Sequence, residues 1–177
     1  MDAEVILVNL QDEEIGRAKK MEAHEKGLLH RAFSVFLYSG NQLLLQKRDN
    51  SKYHCPGLWT NACCSHPAPG EQTKVAAIRR MYEELGIHFN DIEELCSFIY
   101  RYPFNNGVTE YECDHVYIGK YPITGILSPN PGEVAELSWC EIGQLEEKML
   151  REPELFTPWF FTCAPMVISF IRSNNHQ

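Results

Sequence analysis

Seven histidines are scattered along the chain, and three stand near groups of complementary chemistry. His24 and His30 flank the entrance to an apolar run. His66 follows Cys64 by two positions in a stretch dense in Pro, Gly, Ser and Cys. Farther on, Glu110 and Glu112 stand two apart in a segment that reads as a strand. A strand sends alternate side chains to opposite faces, so the two carboxylates point the same way, and Cys64 and His66 share that relation if their loop is extended. Imidazoles beside carboxylates make a donor set for a divalent metal. Spacing alone leaves a second reading open, in which the histidines are isolated polar residues and the glutamates a solvated face.

Two charged clusters add to this. Lys47, Arg48 and Lys52 lie close together and would hold an anion, or simply form an exposed turn. Glu71, Arg79, Arg80, Glu83 and Glu84 lead up to Gly86. Pairs Arg79–Glu83 and Arg80–Glu84 at i, i+4 would account for those charges on a surface helix.

The elements that must position these groups can be read from periodicity. Glu4 to Asn9 reads as a strand, Gln11 to Glu13 as a turn, and a short strand near Ile15 completes a hairpin. Arg31 to Tyr38 is a strand; Ser39-Gly40-Asn41 turns the chain and Gln42 to Gln46 returns antiparallel. Asp49 to Pro69 reads as a loop held by that sheet. Thr73 to Leu85 is a helix with Val75, Ile78, Tyr82 and Leu85 as its apolar face, stopped by Gly86. Strands follow over Glu94 to Tyr102, Thr109 to Tyr117 and Val134 to Cys140, the first two joined at Asn105-Asn106-Gly107. Helices follow over Ile142 to Leu150 and Trp159 to Arg172, the latter after Pro158. Interleaved strands and helices predict an α/β fold, a mixed sheet flanked by helices. No repeat or linker divides residues 1–177, so a single domain is expected.

Composition narrows the function. Of 177 residues, 44% are hydrophobic and 23% charged, which is globular usage. A net charge of −8 disfavours nucleic acid and a polybasic membrane anchor. No apolar run reaches membrane-spanning length, and Met1 to Leu10 lacks a basic secretory n-region. Seven cysteines without a Cys-x-x-Cys pair point to reduced thiols and a cytoplasmic setting.

The segment from Glu71 to Ile87 resembles the Nudix signature, G-x5-E-x7-R-E-U-x-E-E-x-G-U with U apolar. Glu71, Arg79, Met81, Glu83, Glu84, Gly86 and Ile87 fit, whereas Ser65 stands for the first Gly and Arg80 for the second Glu. A cation at that position removes a metal ligand and opposes a metal nearby. The expectation is therefore a Nudix-like layered fold with pyrophosphate hydrolysis in doubt. Pro56-Gly57-Leu58-Trp59-Thr60-Asn61-Ala62-Cys63-Cys64-Ser65-His66-Pro67 resembles the loop of type I isopentenyl diphosphate isomerases. So do Leu29-His30-Arg31-Ala32-Phe33-Ser34, Tyr100-Arg101-Tyr102, Glu110-Tyr111-Glu112-Cys113 and Pro158-Trp159.

That resemblance implies interconversion of isopentenyl and dimethylallyl diphosphate in isoprenoid synthesis. It implies His24, His30, His66, Glu110 and Glu112 as ligands of one divalent cation (Mg²⁺, Mn²⁺ or Zn²⁺), with Glu22 or Glu25 as alternatives to His24. Cys64 and Glu112, the latter helped by Tyr100, would transfer protons on opposite faces of the substrate; Cys63 should point away. Glu84 would bind a Mg²⁺ carried by the diphosphate, and Arg48, Lys52 and Arg80 would grip its phosphates. Trp159 would face the cation formed, ahead of Trp59 and Tyr100, while Trp139 packs in the core. The partner expected is a small prenyl diphosphate, and the chain is expected to be a monomer. Two rivals remain: a Nudix hydrolase of a nucleoside diphosphate derivative, and a zinc-stabilised interaction domain. Arg80 and the Cys64/His66 pair speak against the first, the unpaired cysteine spacing against the second.

Overall fold

A computed structural model describes residues 3–52 and 54–175. The N-terminal hairpin is formed by β1 (Glu4–Val8) and β2 (Glu14–Lys19), antiparallel as expected. Helix α1 (Lys20–Lys26) follows directly, and Gly27 ends it at φ 61°, a left-handed cap that suits glycine. Periodicity did not reveal this helix, because seven residues span barely two turns and bury only Ala23 and His24.

The long strand β3 (His30–Ser39) is the hub of a mixed sheet. It runs parallel to β8 (Thr109–Lys120) and antiparallel to β1, β4 (Gln42–Arg48) and β6 (Cys63–Ser65). Its run Ala-Phe-Ser-Val-Phe-Leu is apolar at both parities because both faces are covered. Phe36 joins one core with α3 (Ile142–Arg151) and α4 (Phe160–Asn175). Phe33, Val35 and Leu37 join another with α2 (Thr73–Leu85). Strand β7 (Glu93–Pro103) pairs with β8 across the predicted turn, and β9 (Val134–Glu141) pairs with β4.

Three expectations need correction. The loop over 49–69 contains two short strands, β5 (Trp59–Thr60) on β4 and β6 on β3. Strand β4 does return antiparallel, but it meets β3 only at Tyr38↔Leu43 and Ser39↔Gln42. Beyond that point β6 occupies the edge of β3, and β4 continues on β9. Helix α2 has the predicted bounds and half of the predicted face: Leu85 is buried and Ile78 packs against the core, but the other two residues are not inside. Val75 and Tyr82 are each 51% exposed, whereas Ala76, Ala77, Met81, Glu84 and Leu85 are buried. Small alanines let the helix lie close to β3 and β6, and this rotation also turns Glu84 inward.

Candidate active site

Sheet register assembles the site. Tyr100 of β7, Glu112 of β8 and His30 of β3 are direct cross-strand partners, so their side chains leave the sheet on one face. Ser34 shares that face and pairs with Cys64 of β6 on the other side of β3. Cys64 and Glu112 thus flank the central strand. Both line one cavity of about 80 Å³. Cys63, one position away, points into the opposite core and is fully buried.

His24, His30, His66 and Glu112 each bring a donor atom within 4.8 Å of the others. His24 Nδ1 lies 2.7 Å from the Lys20 carbonyl and His30 Nδ1 2.8 Å from the Leu28 carbonyl. Each Nδ1 must carry hydrogen to donate there, so each Nε2 offers a lone pair to the cluster. His66 Nε2 stands 3.2 Å from His30 Nε2 and 2.9 Å from Glu112 Oε1. One hydrogen on His66 cannot serve both acceptors. A divalent cation among these atoms would satisfy all four, so the donor set fits a metal. Helix α1 selects His24 over its neighbours: Glu22 is only half-buried and paired with Lys26, and Glu25 is exposed.

Electrostatics follow from burial. Burial drives the His66 imidazole down to about 3, which keeps it neutral as a ligand must be. Burial alone would raise Glu112, but the His30 and His66 imidazoles beside it outweigh that and hold the carboxyl well below its usual range. Glu110 goes the opposite way, raised by burial and by the charge of Glu112. It lies outside the four-donor group. Its Oε1 meets His54 Nε2 at 2.5 Å, and the Tyr100 hydroxyl lies 2.6 Å from Glu112 and 3.1 Å from Glu110. One hydroxyl proton serves one carboxylate, so a protonated Glu110 completes this chain of contacts.

Burial also pushes the Cys64 thiol up to about 12, although Arg48 opposes this with a guanidinium 3.9 Å from Sγ. Trp159 is buried on the cavity wall, its indole N–H donating to Asn61 Oδ1 at 3.3 Å. Tyr100 is on the wall as well, whereas Trp59 is not and packs with Lys47 above its ring. Trp139 packs against the α2 core, as expected.

The cavity mouth is cationic. Lys20, Lys52 and Arg80 line both the inner cavity and an adjoining cleft. Lys52 pairs with Glu133, and Arg80 bonds Glu83 at 2.8 Å and Glu84 at 2.6 Å. Glu84 is buried and also accepts from Gln46, so it stands apart from the His/Glu cluster. The pairs Arg79–Glu83 and Arg80–Glu84 are present, and Arg79 further forks onto Glu71 at 2.8 Å. Sequence reasoning missed His54, Lys20 and Asp114. Asp114 is buried behind Glu112, bonded by Ser34 and raised to about 8 by burial and by Glu112. It lies two positions from Glu112, so strand alternation could have found it. His54 and Lys20 had no such signal.

Known proteins bear on this geometry. The NUDIX domain model matches residues 28–160, and the chain belongs to the Nudix family. A crystal structure of a Deinococcus radiodurans protein shares the fold, with a TM-score of 0.72 at 20% identity over 96% of this chain and 98% of that one. Within the family, the chain belongs with the isopentenyl-diphosphate Delta-isomerases. It is similar to the one of Serratia proteamaculans, 45% identical over 92% of this chain and 89% of the relative. It is also 41% identical to isopentenyl-diphosphate Delta-isomerase 2 of Aromatoleum aromaticum, over 96% and 88% of the two chains.

Proposed function

We propose that this protein is an isomerase that interconverts isopentenyl and dimethylallyl diphosphate. The observation that carries the reading is the placement of Cys64 and Glu112 on either side of β3, facing one small cavity with cations at its mouth. A proton added to the terminal CH₂ of the alkene leaves a tertiary cation. Loss of a proton from the neighbouring CH₂, on the other face, yields the shifted double bond. Two proton-transfer groups on opposite walls are what this requires. Cys64 rests as a thiol and Glu112 as a carboxylate, so one wall can give a proton while the other takes one. Tyr100 holds Glu112 Oε2 in place, and Trp159 offers its ring to the cation, worth about 2 kcal/mol when desolvated.

His24, His30, His66 and Glu112 would hold the divalent cation, with Glu110 beside them, and bound there it would orient Glu112 and tune its proton affinity. Three imidazoles suit Zn²⁺ or Mn²⁺, whereas Glu84 together with phosphate oxygens suits Mg²⁺. Arg48, Lys52 and Arg80 face the diphosphate, joined by Lys20. All seven cysteines are free thiols, which supports a cytoplasmic setting.

The test is turnover of each prenyl diphosphate in deuterated water with added metal. Label appearing in both isomers is the expected result. Phosphate release from nucleoside diphosphate derivatives, without isomerisation, would replace the reading with hydrolysis. Arg80 opposes that outcome, since it sits among Glu83, Glu84 and Glu133 where a metal-binding glutamate would be needed.

A further inference from the structure

The reverse face of β8 carries a second donor cluster. Cys113 and His115 alternate with Glu112 and Asp114, so they leave the strand on the side away from the cavity. The β1–β2 turn brings Asp12 over them. Donor atoms of Asp12, Cys113 and His115 lie within 4.8 Å of one another. His115 Nε2 is 3.0 Å from Asp12 Oδ2, and its Nδ1 is 2.8 Å from Glu94 Oε1.

One ring nitrogen thus faces Glu94 and the other Asp12, and a carboxylate on the outer nitrogen is the usual support of a metal-bound histidine. Asp12 is held for this contact by Arg31, whose Nε reaches Oδ1 at 2.7 Å and whose Nη2 reaches the Asp12 carbonyl at 2.5 Å. Arg31 thus takes one carboxylate oxygen and leaves Oδ2 aimed at His115. Cys113 is buried, and a cleft beside His115 opens to solvent.

We infer that Asp12, Cys113 and His115 form a second metal site, for a borderline cation of the Zn²⁺ type, with the fourth position open to water. One thiolate, one imidazole and one carboxylate suit Zn²⁺ and its analogue Co²⁺, not Mg²⁺ or Ca²⁺. Loading releases the Cys113 proton to solvent. The bound ion ties the N-terminal hairpin to β8, and that hairpin leads directly into the helix that carries His24.

Co²⁺ titration of the full-length protein tests this, because only a thiolate ligand gives a near-ultraviolet charge-transfer band. The expected result is that band in the wild type, its loss with one metal equivalent in Cys113→Ser, and its retention in Cys64→Ser. His115→Gln should likewise lose one equivalent, with isomerase turnover retained. Glu94→Gln should weaken Co²⁺ binding about 10- to 100-fold. A band that survives Cys113→Ser, or one that disappears in Cys64→Ser, overturns the assignment. So does a wild type that binds no more metal than the Cys113 and His115 variants.

Discussion

Cys64 holds its proton at neutral pH while Glu112 is kept ionised by two imidazoles. Neutralising either partner should therefore cost rate without unfolding the chain. Cys64→Ser and Glu112→Gln are each expected to lower kcat by about 10²- to 10⁴-fold, the usual worth of a positioned proton-transfer group. Turnover assays beside thermal melts check this, and near-normal rates in either variant would break the assignment. His54→Gln should act through Glu110 and lower kcat more than it raises KM, read from a KM-against-kcat comparison. Residue type suggested a donor set but left a solvated face equally open, and the particular ligands were implied by the resemblance to the isomerase family rather than by spacing. It could not reveal His54, whose carboxylate partner Glu110 lies far along the chain. Nor could it show that Glu110 turns to His54 while Glu112 turns to the histidines.

Helix α2 illustrates how an element can have correct bounds and a partly misjudged face. Its alanines weigh little on any hydropathy count, yet close approach to the sheet favours them over Val75 and Tyr82. Two substitutions separate the faces. Val75→Glu should change stability by about 0.5 kcal/mol or less, as at an exposed position. Ala77→Leu should cost about 1–3 kcal/mol by overpacking. Denaturant midpoints measure both. Gly86→Ala should lose about 2 kcal/mol, because φ is +70° there and an added Cβ would meet the Ser128 backbone oxygen at 2.7 Å. That cap was readable from the sequence. Helix α1 was not, since its shape depends on Ala23 and His24 being buried by other elements.

The assembled protein should respond to pH through its buried histidines and Asp114. His66 is lowered from 6.5 to about 3 and His54 to about 2, so the unfolded chain binds more protons as pH falls below 6.5. Their contribution to stability is complete above 6.5 and is lost toward about 3. Asp114 runs the other way: raised from 3.8 to about 8, it contributes below 3.8 and its share is lost as pH rises through 8. Below 6.5 two histidines oppose one aspartic acid, so melting temperatures of the metal-free protein should fall with acidification. Chelation at neutral pH should lower the melting temperature too. A cation present at hundreds of times its Kd adds about 3–4 kcal/mol that the apo chain lacks.

The parallel register of β3 with β8 has a temporal consequence. Residues 40–108 separate those two strands along the chain and must be looped out before His30 meets Glu112. Closing so long a loop is slow compared with forming a hairpin or helix. During synthesis, the ribosome has to release the chain well past Glu112 before the catalytic chamber can exist at all.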